Sequence, residues 1–194
     1  MSDRINIPLV KKWMKVLIYT MIVSIVNSII NVFPFIPSVL TLWISRGVVV
    51  AVTVAMFKLS PVNVRYRKSG ILRGAMFACT IVLTIASNVS VLSFVASVLS
   101  LLAIYQEYSA HSELVEELDG KLSRNWHSLF NWNIIIGVLV SMATVIAVMV
   151  VAMVQMDVVR ITSVIVVLLG IPQMILDLVY IKYMKRMTSL ISEK

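Results

Sequence analysis

The sequence predicts an all-α, polytopic membrane helix bundle with six transmembrane helices and both termini in the cytoplasm. Three observations predict it. Of 194 residues, 60% are hydrophobic and 13% charged, with mean hydropathy +0.97, against about 45–50% apolar and about 25% charged in soluble domains. So few charges cannot cover a water-facing surface, which excludes a soluble enzyme, a disordered chain and a collagen-like one. The apolar tracts run unbroken instead of alternating in segments of about ten residues, so helices fit and an outer-membrane barrel does not. Finally, six spans place every Lys and Arg except Arg46 and Arg160 on one side of the membrane, the asymmetry that marks cytoplasmic segments.

A span needs about 20 apolar residues, and six tracts qualify: 16–33, 37–57, 71–87, 89–105, 133–156 and 161–180. The first is too long for a signal peptide and no A-x-A-like cleavage site follows, so it reads as a retained span. Its polar stripe of Thr20, Ser24, Asn27, Ser28 and Asn31 must look inward, because two asparagines are costly in lipid. Pro34 and Pro37 bound an outer turn. The second tract carries Arg46 near its middle.

Residues 71–105 are almost continuously apolar. One helix of that length would measure about 50 Å, beyond a hydrocarbon core of about 30 Å. Ser87-Asn88-Val89-Ser90 is the polar break, and a tight hairpin is expected there. Merging the two spans would scatter the basic residues over both faces. Thr80, Thr84 and Ser87, then Ser90, Ser93, Ser97 and Ser100, recur at helical steps, as do Gly137, Ser141 and Thr144 in the fifth span. Such spacing lets helices approach closely. The single cysteine, Cys79, lies within the third span and reads as a packing residue.

Between the fourth and fifth spans, 106–132 forms a cytoplasmic helical segment. Leu114, Leu118 and Leu122 make an apolar stripe with acids opposite. Gly120 is expected to stop a helix. Ser123 is expected to cap a short second one, whose Trp126, Leu129, Phe130 and Trp132 would lie along the headgroups. Glu107 and His111, four apart, suggest a divalent-metal site. The spacing occurs once without a second copy, and a solvated acidic face is the simpler reading.

In the sixth span Pro172 removes an amide hydrogen and obstructs the carbonyl of Leu168, so a kink is expected. Gln173, Asp177 and Tyr180 then share one face. Arg46 and Asp177 are read as the two charges buried in the spans. Pairing would offset part of each desolvation cost. Anion binding by Arg46, or snorkelling, is the alternative.

No H-E-x-x-H, G-x-S-x-G or P-loop is present, so no enzyme is expected, and no cofactor. In size alone the chain resembles the substrate-binding subunits of energy-coupling-factor vitamin transporters. Ile171-Pro172-Gln173 resembles a PQ-loop motif, once and without a repeat. Neither resemblance assigns a role to any residue.

Two functions are consistent with these features. One is a small-solute carrier or a transporter's binding subunit, its polar cavity lined by Asn27, Asn31, Arg46, Gln173, Asp177 and Tyr180. Its ligand would be small and polar or anionic. The other is a non-transporting accessory subunit, immunity-type protein or scaffold that meets a partner protein through 106–132. The net charge of +8 suits anionic lipid headgroups, not nucleic acid. The densest basic patch runs from Lys58 to Arg73. A prokaryotic plasma membrane is the expected location.

Overall fold

The computed structural model describes residues 7–31, 35–85, 90–154 and 158–192. They form six helices: α1 (Ile7–Ile30), α2 (Ser38–Leu59), α3 (Val64–Ile85), α4 (Ser90–Val115), α5 (Gly120–Val154) and α6 (Val158–Ser192). The helices α1, α2, residues Val91–Val115 of α4 and Gly120–Ala143 of α5 are long and apolar enough to cross a membrane. This all-helical architecture is compatible with a membrane protein.

Cross-helix contacts give each pair its direction. Asn27 meets Ser45 while Asn31 meets Thr41, so α1 and α2 are antiparallel. Tyr66 meets His111 and Arg73 meets Glu107, which makes α3 and α4 antiparallel. Trp126 packs on Tyr180 while Asn133 meets Gln173, which does the same for α5 and α6. Each helix packs on its neighbours in sequence, and α1 also packs on α6. The six therefore form a closed up-and-down ring. The start of α1, the end of α6 and the α2–α3 and α4–α5 connections share one end, here the basic end.

The expected hairpin at 87–90 falls largely outside the described residues, as does Pro34 of the outer turn. The helices on either side of the hairpin are nevertheless separate and antiparallel, as the charge argument required.

The 106–132 segment departs from expectation. Its first part does continue α4, as far as Val115. Gly120 opens α5 and does not stop a helix. Asp119, not Ser123, caps it: Asp119 Oδ1 accepts the amide hydrogens of Lys121 at 3.0 Å and Leu122 at 2.9 Å. A carboxylate outcompetes a hydroxyl at this position because it also complements the helix dipole. Nor is there a separate interfacial helix, since α5 runs without a break through Trp132 into the apolar tract. Trp126 is fully buried, with Leu122 and Leu129 beside it; Trp132 alone of the expected belt is well exposed. Of the aromatic residues expected along the headgroups, Trp126 is thus part of the core and Trp132 is not.

That core sits at the basic end. Val10, Met14 and Leu17 from α1, Met56 and Leu59 from α2, and Tyr66 from α3 meet Tyr108, Trp126, Tyr180, Met184 and Met187. Toward the other end the described hydrophobic side chains are mostly exposed, as lipid-facing ones should be. The hydroxyls there largely bond within their own helices. Thr80 donates to Phe77 O, Ser97 to Ser93 O and Ser141 to Gly137 O, which satisfies these donors without a partner helix. Close approach of α3 and α4 uses Ala103, whose carbonyl accepts from the buried Ser69 hydroxyl at 2.9 Å.

Candidate functional site

Helical spacing brings five polar side chains together inside the basic end. Tyr66 and Arg73, two turns apart, share one face of α3. Glu107 and His111, one turn apart, share one face of α4. Tyr180 comes from α6. The Glu107 side chain is 3% exposed, His111 is fully buried, and Arg73 is 16% exposed.

The Arg73 guanidinium is ion-paired with Glu107 Oε2. The other carboxylate oxygen accepts the Tyr180 hydroxyl at 2.6 Å. Since that hydrogen is committed to Glu107, Tyr180 must accept from His111 Nε2, 3.2 Å away. Nε2 therefore carries a hydrogen, and Nδ1 faces the Tyr66 hydroxyl at 2.8 Å. Burial pushes the Tyr66 phenol well above its ordinary range, and the charges of Glu107 and Glu113 push it further. It therefore keeps its hydrogen and donates to Nδ1. One direction of donation satisfies the line from Tyr66 through His111 and Tyr180 to Glu107.

Aromatic rings wall the line. Trp126 lies 4.7 Å from His111 and 5.3 Å from Tyr180, centroid to centroid, and Tyr108 stands 5.6 Å from Tyr180. Among the described residues, the buried Arg73 Nε, Ser109 Oγ and Trp126 Nε1 find no hydrogen-bond partner. Between this core and the surface, Glu113 holds Arg65 and Asn63. Nearby on the surface, Arg186 holds Asp119.

The solvated-face reading fails for Glu107 and His111, which are inside, and holds for the exposed Glu113, Glu116 and Glu117. Among the described residues no three His, Cys, Asp or Glu side chains group to hold a metal. A guanidinium already occupies the carboxylate that would lead such a site.

The expected site residues fall into separate hydrogen-bonded groups. Asn27 donates to Thr41 O and Ser45 Oγ, and Asn31 accepts from Thr41, so both tie α1 to α2. Arg46 donates to Thr84 Oγ1 at 2.8 Å and lies over the Trp43 ring. Asp177 accepts from Gln173, which also donates to Asn133 Oδ1. Arg46 and Asp177 form no ion pair with each other. They belong to different seams of the ring. Tyr180 does join the buried network. Arg73 and Tyr66 were missed, although Arg73 lay within the 71–87 tract and was counted as a cytoplasmic charge.

Polar residues continue from this network at steps of about seven. Tyr66 and Arg73 lead to Thr80 and Thr84, Glu107 to Ser100 and Ser93, Trp126 to Asn133, and Tyr180 to Asp177 and Gln173. On each helix burial falls along the stripe. Thr80, Thr84, Ser93 and Gln173 are exposed, and Ser100, Asn133 and Asp177 half-buried. The ring is plugged at its basic end, and its polar stripes open toward the other.

An all-helical ring with four long apolar helices is compatible with a membrane protein. No family model matches the chain, and neither does any curated protein or solved structure.

Proposed function

We propose that this protein is a small-solute carrier, or a transporter's binding subunit. All six helices span the membrane and the basic end faces the cytoplasm, in keeping with the placement of Lys and Arg. One observation carries the reading: four polar stripes start in a buried plug and become steadily more accessible away from it. Helices that merely pack would bury such residues, and helices that merely face lipid would not repeat them. The solute meets Thr80, Thr84, Ser93, Ser100, Asn133, Gln173 and Asp177. Arg46 reaches the edge of this surface through Thr84 and favours an anionic group.

Thiol labelling tests the cleft. In a Cys79→Ser background, Thr80→Cys and Gln173→Cys should react with a membrane-impermeant maleimide in intact proteoliposomes. Met142→Cys, equally exposed but on the far face of α5 from Trp126 and Asn133, should not, because a thiol in lipid does not ionise. Equal labelling of all three, or of none, would refute the cleft. Vesicles that pass the test are then screened with small carboxylates and phosphorylated solutes for uptake.

A further inference from the structure

An apolar groove of about 380 Å³ runs along the α1–α2 seam, walled by Val16, Tyr19, Thr20 and Val23 on one side and by Gly47 and Ala51 on the other. It faces outward: Tyr19 and Val23 are 64% and 46% exposed, while Val10, Met14 and Leu17 turn the opposite face of α1 into the core. The Thr20 hydroxyl is already donated to Leu17 O at 2.9 Å, so the wall asks for hydrocarbon. Gly47 leaves it open, since a Cβ added there would meet nothing within 4 Å. From Val16 to Val23 the helix rises about 10 Å. The mean cross-section is then on the order of 40 Å², room for one hydrocarbon chain and half the roughly 80 Å² of a helix 10 Å across.

We propose that this groove binds one anionic phospholipid, with an acyl chain between α1 and α2 and the phosphate held by Lys12 and Lys58. Both lysines lie on the groove's own line. Lys12, Val16, Tyr19 and Val23 fall at i, i+4, i+7 and i+11 along α1, and Gly47, Ala51, Val54 and Lys58 repeat those steps along α2, so each set shares one helix face. The Asn27–Ser45 and Asn31–Thr41 contacts fix the register of the antiparallel pair. Counted from them, Lys12 stands level with Ser60, beside the last turn of α2 that carries Lys58. Both ammonium groups therefore meet at the basic mouth of the groove. Both side chains are exposed. Neither helix contains Asp or Glu, and among the described residues no carboxylate pairs with either lysine. Lys12 also lies 5.8 Å from the Trp13 ring, the aromatic company that marks a headgroup layer. One turn, about 5.4 Å, separates Lys12 from Val16 and leaves height for the glycerol esters. An unfilled groove in lipid forfeits dispersion contacts, whereas a chain held in it loses freedom; attraction of the phosphate to two cations offsets that loss. The inference takes from the reading above only that α1 and α2 cross the membrane with the basic end at a headgroup layer, and it needs no solute.

The test titrates the full chain in maltoside micelles with dioleoyl phosphatidylglycerol or dioleoyl phosphatidylcholine, and native mass spectrometry reads the fraction carrying one lipid. Phosphatidylglycerol should bind more tightly by about tenfold or more, two basic contacts at about fivefold each. Lys12→Gln and Lys58→Gln should each weaken it by that single step and leave phosphatidylcholine unchanged. Arg124→Gln removes the same charge from the basic end at an exposed position of α5, and it should bind like the parent. Gly47→Leu fills the groove without touching a lysine. It should weaken both lipids about tenfold, the effect of turning two methylenes out of an apolar contact. Replacing glycine inside a helix favours folding, so this loss is not one of fold. Excess inorganic phosphate should leave the bound lipid in place, which separates a lipid from a free anion. Equal affinity for the two phospholipids, a Gly47→Leu variant that binds like the parent, or an equal loss in Arg124→Gln overturns the proposal. So does a dimer that Gly47→Leu disperses, which would give the groove to a second copy. Lysine-dependent phosphatidylglycerol binding with Thr80→Cys and Gln173→Cys unlabelled would keep the lipid site and remove the carrier reading. A labelled cleft without lipid preference would do the reverse.

Discussion

Arg73 of α3 and Glu107 of α4 form an ion pair inside the bundle, with Tyr180 closing on the carboxylate's other oxygen. Removing one partner of such a pair strands a buried charge, at a cost of about 3–5 kcal/mol. Arg73→Ala and Glu107→Ala should each lower stability by that order. The double change Arg73→Met with Glu107→Leu should restore most of it, as read by thermal unfolding in detergent. A double-variant loss equal to the sum of the two single losses would mean the two residues act independently.

Trp126 and Trp132, six residues apart on α5, should behave differently. Trp126 is enclosed by Tyr108, His111, Tyr180 and Tyr183, so Trp126→Ala should cost about 3–5 kcal/mol. Trp132→Ala, at an exposed site, should stay within about 0.5 kcal/mol. Emission spectra should agree, with Trp126 the bluer fluorophore.

Asn27 and Ser45 join α1 to α2 through a 2.8 Å hydrogen bond. Couplings of this kind between membrane helices average about 0.6 kcal/mol and reach about 1.7. A double-mutant cycle of Asn27→Ala and Ser45→Ala should fall in that range, measured by unfolding in mixed micelles.

Arg46 and Asp177, by contrast, should show no coupling. They share no hydrogen-bond partner, and effects of such separated sites add within about 0.5 kcal/mol. Arg46→Ala should abolish solute binding while folded protein persists. The pair of substitutions should give no rescue, whereas rescue of folding in the double variant would restore the direct ion pair.

Asp119 gives stability a sign with pH. The Leu122 amide lowers its carboxyl below the ordinary range, and Arg186 adds to this against the opposing effect of burial. A depressed carboxyl stabilises the folded state above its unfolded value, near pH 4, and loses that contribution as pH falls through the folded one. Asp119→Ala should therefore be less stable than the parent at pH 7, and the gap should narrow in strong acid. A gap independent of pH would show the cap to be steric.

Much of this architecture was legible in residue order. Unbroken apolar tracts predicted helices, and the polar break at 87–90 together with the charge asymmetry predicted a reversal between α3 and α4. The i, i+4, i+7 spacing placed Gln173, Asp177 and Tyr180 on one face, where Gln173 and Asp177 do bond. The four-residue step from Glu107 to His111 was also visible, but spacing along one helix cannot say whether that face meets water or another helix. Trp126 was misplaced for the same reason: an aromatic cluster beside an apolar tract suits a headgroup layer as well as a core.

Composition and periodicity alone were enough for helix class, direction changes and the sign of each end, because these follow from desolvation, which every residue carries with it. Partnership was a matter for the folded ring. Which helices close on which settles that Glu107 meets Arg73 and Tyr180 and that Arg46 does not meet Asp177, since hydrogen bonds depend on ångström distances between residues far apart in the chain.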